Sequence, residues 1–185
     1  MLYSKKGDSG KTTLYACNQS ISKSSAITEA LGALDEANSY LGVCKATLKN
    51  YDLANLKIIG RKITDVTDDL QNDLFTVQAQ IAGANKDIKT ERVKTIEKIV
   101  SEIEQVLPPI KTFIVPGSCI NSANFDFART LVRRAERRVV AVAEEGKVKV
   151  TKNSLTYINR LSSVLYALAR YLSLQSLTKE CSPKY

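Results

Sequence analysis

The sequence predicts an all-α protein, a five-helix up-and-down bundle preceded by a non-helical N-terminal arm. Apolar residues recur every three or four positions through most of the 185 residues. Glycine or proline occurs where these periodic stretches stop, and no convincing pair of strands is visible. With 44% hydrophobic residues the chain can build one core. We therefore expect a single domain over residues 1–185, with the arm in 1–24 and the bundle in 25–177.

The first two predicted helices cover residues 25–50 and 56–81. Each has one apolar stripe, with leucine, isoleucine or valine at helical intervals. The second stripe is the more regular and continues for about seven turns. Gly83, just beyond it, supplies a plausible C-terminal stop.

The third predicted helix covers residues 90–106. Pro108 and Pro109 follow it, and proline cannot continue a helix because it lacks the amide and clashes with the preceding turn. Residues 110–118 (IKTFIVPGS) should then form a short extended link. A link that interrupts a regular scaffold often carries function.

The fourth and fifth predicted helices cover residues 121–145 and 153–177. Gly146 is a natural cap for the end of the fourth, because glycine accepts the left-handed conformation there. Asn153 is a good N-cap residue for the fifth.

Composition excludes several kinds of chemistry. The chain has no histidine, which removes Ser-His-Asp, Cys-His and histidine-dependent metal catalysis. Its cysteines, Cys17, Cys44, Cys119 and Cys181, lie singly, so neither a zinc site nor a disulfide framework is indicated. The formal charge of +8 favours anionic partners, either a nucleotide or a nucleic acid.

Targeting signals are also missing from the sequence. No stretch approaches the roughly 18 apolar residues that a membrane span needs. Residues 1–13 have no apolar core typical of a secretory signal. We therefore expect a cytoplasmic protein with no membrane partner.

The arm carries the sequence KKGDSGKTTL in residues 5–14. Two glycines, several lysines and two threonines suit a backbone that wraps phosphate groups. It is not a Walker A loop, because the glycine spacing is wrong and no strand can precede it. A flexible polar segment remains the alternative.

The fourth helix carries five arginines in ten residues. Arg129, Arg133 and Arg137 share the face opposite the core stripe, and Arg134 and Arg138 lie between. Such neighbours repel one another, and a triphosphate that accepts bidentate guanidinium contacts explains the cluster. Surface charge or ion pairs between subunits would be the alternative.

Polar residues also lie beside the core stripes of the first and fifth helices. Asp35 and Asn38 are about one turn apart, and a carboxylate there needs a partner such as an arginine of the fourth helix. Asn159, next to Ile158 and Arg160, offers an amide for a ribose or a purine edge, or simply a hydrogen bond at the edge of the core.

Taken in order, these segments resemble the PduO-type ATP:cob(I)alamin adenosyltransferases. The shared motifs are YSKKGDSG from Tyr3, LDEANS from Leu34, FIVPG from Phe113, ARTLVRRAER from Ala128 and NRLS from Asn159. The resemblance spans essentially the whole chain. Its most specific part is RRAER about twenty residues before NRLS.

The resemblance implies a homotrimer with active sites at the subunit interfaces. The implied reaction moves the 5′-deoxyadenosyl group of ATP to Co(I) of cobalamin, which releases triphosphate and forms adenosylcobalamin. Magnesium would accompany the triphosphate, and a corrinoid reductase or flavin donor would supply the electron for Co(I). Because cobalt is the nucleophile, the reaction needs no histidine.

The resemblance also assigns residues. The nucleotide would be bound by Ser4, Lys5, Lys6, Gly7, Thr12, Thr13, Lys23, Arg133, Arg134, Glu136, Arg137 and Asn159. The catalytic group would comprise Asp35, Phe113, Arg133 and Arg137. Asp35 would pair with Arg133, and Phe113 would pack on the lower face of the corrin. No residue is assigned as a metal ligand.

The chain departs from the family pattern in three places. Ser163 stands where the family usually has aspartate, Ser118 replaces a glycine, and the arm has one extra residue between Gly7 and Lys23. Two other functions stay open at this stage: a basic helical module that binds nucleic acid, and a non-catalytic sensor of ATP or corrinoid.

Overall fold

The computed structural model describes residues 5–14, 20–51 and 53–185. Five long helices account for most of them, which confirms the predicted helical scaffold. The helices are α1 (Ala26–Asn50), α2 (Ile63–Ile81), α3 (Thr90–Glu104), α4 (Ile120–Glu145) and α5 (Lys152–Gln175). Helix α4 packs between α1 and α5, while α2 lies on α1 and α3 lies on α5. None of the helices in the described ranges is long and apolar enough to cross a membrane.

The chain is not strictly all-α, because two short antiparallel hairpins accompany the helices. In the arm, β1 (Lys11–Thr13) pairs with β2 (Ser20–Ser22), and Thr12 lies opposite Ile21. Strands of three residues are too short to produce a readable alternation of polar and apolar positions. In its described parts, residues 5–14 and 20–24, the arm was therefore correctly predicted as non-helical, but its strand pairing was missed.

The second hairpin corrects the start of the second helix. Strands β3 (Lys57–Ile58) and β4 (Arg61–Lys62) occupy residues predicted as helical. Ile59 and Gly60 join them with φ angles of 51° and 73°, in the left-handed region that a helix cannot use. Glu102 of α3 accepts a 2.7 Å hydrogen bond from the Ile59 amide, which holds the turn in place.

Helix ends follow local capping chemistry. Ser25 caps α1 and Thr151 caps α5, each by accepting a backbone N–H three residues later. The predicted cap Asn153 instead lies inside α5 and donates to the carbonyl of Ile88 at 3.0 Å. The prediction of Gly146 as the cap of α4 is confirmed, with φ of 68°. Helix α3 ends at Glu104, two residues before the predicted end at 106.

The core is built from the predicted apolar stripes. Leu34 and Leu41 of α1 and Leu70 and Leu74 of α2 are fully buried. Cys44 lies among them, and burial raises the pKa of its thiol to about 12. It is therefore an unreactive core thiol at neutral pH.

A polar cluster ties three helices together within this apolar core. Asp73 of α2 accepts hydrogen bonds from Arg92 Nε at 2.9 Å and Nη2 at 2.6 Å. It also accepts a 2.7 Å bond from the hydroxyl of Tyr157 on α5, a side chain that is fully buried. Burial and the nearby carboxylate both raise the pKa of Tyr157, so its hydroxyl remains a donor.

We expect Asp73→Ala to lower the free energy of unfolding by about 3 kcal/mol, because the buried Tyr157 hydroxyl loses its acceptor and Arg92 loses one of its two carboxylate partners. Urea unfolding measures the change. The control is Asp68→Ala, which removes an exposed partner of Lys45 and should cost less than about 1 kcal/mol. Equal losses for the two variants would contradict the structural importance of this cluster.

Candidate functional site

The arm folds into a tight glycine-bearing loop followed by the first hairpin. The ammonium of Lys23 donates a 2.8 Å hydrogen bond to the carbonyl of Gly7, and the Lys23 amide donates to Gly10 at 3.0 Å. A methyl group at Gly7 would lie 2.8 Å from the Lys23 nitrogen, so a side chain there would displace the lysine. The structure thus brings Gly7 and Lys23 together, two residues that the resemblance assigns to one nucleotide site. Ser4 lies outside the described residues.

The arginine row of α4 (Arg133, Arg134, Arg137 and Arg138) is exposed along the bundle surface. Two of its members are paired with α1: Arg134 with Glu36, and Arg138 with Glu29 at 3.6 Å. Because α1 runs antiparallel to α4, the two ion pairs lie one after the other along the contact between these helices. Among the described residues, the ion pairs of the row therefore involve Arg134 and Arg138 only.

Arg133 and Arg137 make no ion pair within the described part of the chain. Arg137 Nη1 donates to the backbone carbonyl of Arg133 at 3.1 Å. Asp35, on the exposed surface of α1, forms no ion pair with Arg133 within residues 5–14, 20–51 and 53–185. The predicted pairing of these two side chains is therefore not formed within one described chain.

Glu136 and Asn159 are brought together between α4 and α5. The Asn159 amide donates to Glu136 Oε1 at 2.7 Å, and its oxygen accepts from Arg160 Nη1 at 2.7 Å. Arg160 in turn donates to Glu97 of α3 at 3.2 Å. Asn159 is exposed, not at the edge of the core, so its amide is oriented by neighbours on a surface that a ligand can reach.

A cleft of about 1080 Å³ opens beside the arginine row. Phe113, with 79% of its surface exposed, lines one wall of the cleft together with Ile110 and Ile114. Arg129 and Arg133 of α4 line it from another side. The cleft thus combines an apolar wall with guanidinium groups, and Arg133 belongs to both the cleft and the arginine row.

Arg129 is held in place on the cleft wall. Its Nε is 3.3 Å from Asp126 Oδ1, and its guanidinium lies 5.9 Å from the ring centre of Tyr166. Burial raises the pKa of Asp126, and the charge of Arg129 offsets part of that rise. The ion pair with Asp126 thus orients the Arg129 guanidinium toward the cleft, and the Tyr166 ring of α5 packs against that guanidinium.

The structure adds residues that sequence reasoning did not assign to the site. Tyr166, Lys111, Arg129 and the segment near Ser182 all line the cleft. Arg129 was visible as a member of the arginine face, one turn before Arg133. Lys111 lies in the predicted link, two residues before Phe113. Tyr166 and the segment near Ser182 gave no signal, because only tertiary packing brings α5 and the last residues to the cleft. Within the described ranges, no group of three or more His, Cys, Asp or Glu side chains is arranged to hold a metal ion.

Comparisons with known proteins identify the family of the chain. The cobalamin adenosyltransferase family model matches residues 2–172. The chain is 35% identical over 176 residues to the corrinoid adenosyltransferase PduO of Citrobacter freundii, covering 91% of this chain and 49% of that protein. It is 34% identical over 186 residues to the corrinoid adenosyltransferase of Bacillus subtilis, covering 95% and 88%. The chain spans about half the length of the first of these relatives.

Solved structures of a PduO-type corrinoid adenosyltransferase from Lactobacillus reuteri have a similar fold. A variant with a phenylalanine replaced by alanine, complexed with cobalamin and ATP, has a TM-score of 0.86 and 25% identity, and the match covers 100% of both chains. A variant with an arginine replaced by lysine, complexed with ATP, has a TM-score of 0.87 and 26% identity, covering 99% and 100%. The chain belongs to the cobalamin adenosyltransferase family and is a PduO-type member of it.

Proposed function

We propose that this chain is an ATP:corrinoid adenosyltransferase. The observation that carries the proposal is that Arg133 belongs to two neighbouring surfaces. It ends the exposed arginine row, and it also lines the cleft beside Phe113. A triphosphate on the row and a corrin in the cleft would therefore meet at one guanidinium. A nucleic-acid module has no comparable use for the apolar wall of the cleft.

The proposed nucleotide site combines the arm with α4 and α5. Lysines and backbone amides of the arm would bind phosphate oxygens, with Lys5, Lys6, Gly7, Thr12, Thr13 and Lys23 as the contributing residues, and Ser4 is predicted to join them. Arg133, Arg134 and Arg137 would bind the triphosphate by planar, bidentate contacts. The Glu136–Asn159 pair would hold the ribose or the adenine edge.

The proposed reaction is a displacement at carbon. Co(I) attacks the 5′ carbon of ATP, the cobalt–carbon bond forms, and the bond from that carbon to the triphosphate oxygen breaks. The leaving triphosphate takes the electron pair, so its developing charge must be stabilised while no proton has to move. Preorganised guanidinium groups at Arg133 and Arg137 supply that stabilisation.

Mg²⁺ is proposed to enter with the nucleotide, bound to phosphate oxygens and water, as this ion usually is. Glu136 suits a hydrated ion, because the hydrogen bond from Asn159 uses only its Oε1. When bound, the ion would neutralise phosphate charge. The protein's own contribution would be to hold the water shell through the second oxygen of that carboxylate.

Phe113 is proposed to cover the lower face of the corrin. Its ring is exposed in the cleft, and its backbone lies in the stiff link between Pro109 and Pro116. An apolar ring in that position keeps water and a lower axial ligand away from cobalt. Four-coordinate Co(II) is then easier to reduce, and a corrinoid reductase or a reduced flavin would provide the electron.

We propose that the active unit is a homotrimer, in which Asp35 of one subunit meets Arg133 of its neighbour. An exposed guanidinium and an exposed carboxylate that stay apart within one chain are suited to such a contact. Light scattering at micromolar concentration should give three times the chain mass of 20.4 kDa. A monomer mass together with full activity would contradict the interface site.

The products and the ligand preference test the proposed function. We expect one triphosphate to be released for each adenosyl-cobalt bond formed, with no separate phosphate and pyrophosphate. ATP binding should be tight and require Mg²⁺. A chain that instead binds duplex DNA, with affinity that falls steeply as salt rises, and does not bind ATP would be a nucleic-acid module.

A further inference from the structure

The residues after α5 fold back onto the link that carries Phe113 and form a strap, which we define as residues 178–185. Leu177 has a φ of 53°, and this left-handed residue reverses the chain after the helix. The Thr178 amide then donates to the carbonyl of Ser173 at 3.2 Å, which closes the turn. The strap thereby runs back toward the link that carries Phe113.

A nearly buried ion pair anchors the strap to α5. Arg170, whose side chain is 7% exposed, reaches Glu180 Oε2 from Nη2 at 3.1 Å and also donates from Nε to both carboxylate oxygens. The same Nη2 donates to the carbonyl of Pro108 at 3.2 Å. One guanidinium therefore joins α5, the start of the Phe113 link and the strap.

The strap then contacts the link on both sides of Phe113. The Val115 amide donates to the carbonyl of Cys181 at 2.8 Å, and the hydroxyls of Thr112 and Ser182 are 2.6 Å apart. Within residues 5–14, 20–51 and 53–185, these are the hydrogen bonds that join residues 110–117 to the rest of the chain. The link is otherwise mostly exposed, so side-chain packing contributes little to holding it in place.

The strap also forms part of the cleft itself. Ser182, Pro183 and Tyr185 line it together with Arg129 and Arg133 of α4. We infer that Glu180 and Ser182 are positioning residues for the Phe113 ring, because the strap that carries them is hydrogen-bonded to the link on both sides of Phe113. This inference deepens the proposed function, on which its catalytic part rests.

Three variants test the hydrogen bond beside Phe113 without altering its ring: Thr112→Val, Ser182→Ala and the double variant. Each should raise the KM for the corrinoid and lower the four-coordinate fraction of bound Co(II) about fivefold, the effect of one lost hydrogen bond. Because all three remove the same bond, the double variant should be no worse than either single one. The KM for ATP and the melting temperature should stay unchanged. Ser101→Ala, on the exposed side of α3, is the matched control.

Glu180→Gln tests the anchor by a readout that needs no substrate. The Val115 amide should be protected from hydrogen exchange in the unaltered protein and lose that protection in the variant.

An unprotected Val115 amide in the unaltered protein would overturn the inference. So would Thr112→Val and Ser182→Ala proteins with unchanged corrinoid KM and Co(II) spectra. If the unaltered protein shows no adenosyl transfer, the proposed function fails, and the Val115 amide still decides whether the strap holds the link.

Discussion

Replacing Arg133 with lysine should reduce turnover by about 10²–10³-fold, the usual effect of losing one group that stabilises a developing anion. Lysine keeps the positive charge but loses the planar fork that binds two phosphate oxygens at once. The fold should be unaffected, because the Arg133 side chain is exposed and makes no ion pair in the described part of the chain. Steady-state kinetics with supplied Co(I) corrinoid, together with circular dichroism, measure both expectations.

Arg138→Lys is the matched control for this result. Arg138 lies at the other end of the row, is exposed, and is 3.6 Å from Glu29. Its replacement should leave turnover within about twofold, since a lysine can keep such an exposed pair. If Arg133→Lys retained near-normal turnover and ATP affinity, Arg133 would be surface charge, and the position at which row and cleft meet would have no catalytic importance.

Phe113→Ala should separate the reduction of cobalt from the transfer of the adenosyl group. Without the ring, water or a lower ligand regains access to cobalt, five-coordinate Co(II) is favoured, and reduction becomes harder. We expect normal ATP binding and a loss of activity that is at least about tenfold greater when Co(II) must be reduced on the enzyme than when Co(I) is supplied. Electronic spectra of bound Co(II) report the coordination number directly.

Packing offers a different explanation for any effect of Phe113→Ala, and a control addresses it. Phe113 is 79% exposed and Phe75 on α2 is 58% exposed, so both replacements remove little buried surface. Phe75→Ala should leave both assays unchanged. Equal losses in the two assays for Phe113→Ala, together with a lower melting temperature, would mean that the ring stabilises the fold instead of excluding a ligand from cobalt.

The helices could be predicted from the sequence because each buries one apolar stripe, and such a stripe has a helical period. The start of α2 could not, because Leu56 and Ile59 happen to continue that period although Ile59 and Gly60 adopt positive φ angles. The N-cap of α5 was misplaced for a related reason: Thr151 and Asn153 are both capping residue types, and only contacts with α2 and with the segment before α3 distinguish them.

The candidate site was predicted where its residues lie in compact motifs. Arg133, Glu136 and Asn159 are recognisable from RRAER and NRLS, and the structure joins Glu136 to Asn159 as part of one surface. The cleft wall was not predictable, because Tyr166 and Ser182 come from separate segments that only tertiary packing brings together. The pairing of Asp35 with Arg133 remains a prediction about neighbouring subunits.

The adenosyl transfer itself is tested most directly by mixing the protein with ATP, Mg²⁺ and chemically reduced Co(I) corrinoid under anaerobic conditions. The absorbance spectrum should convert from that of Co(I) to that of adenosyl-cobalt, at a rate that depends on the protein and on ATP. A Co(I) spectrum that persists while ATP is bound would contradict the proposed transferase activity and favour a sensor of ATP or corrinoid.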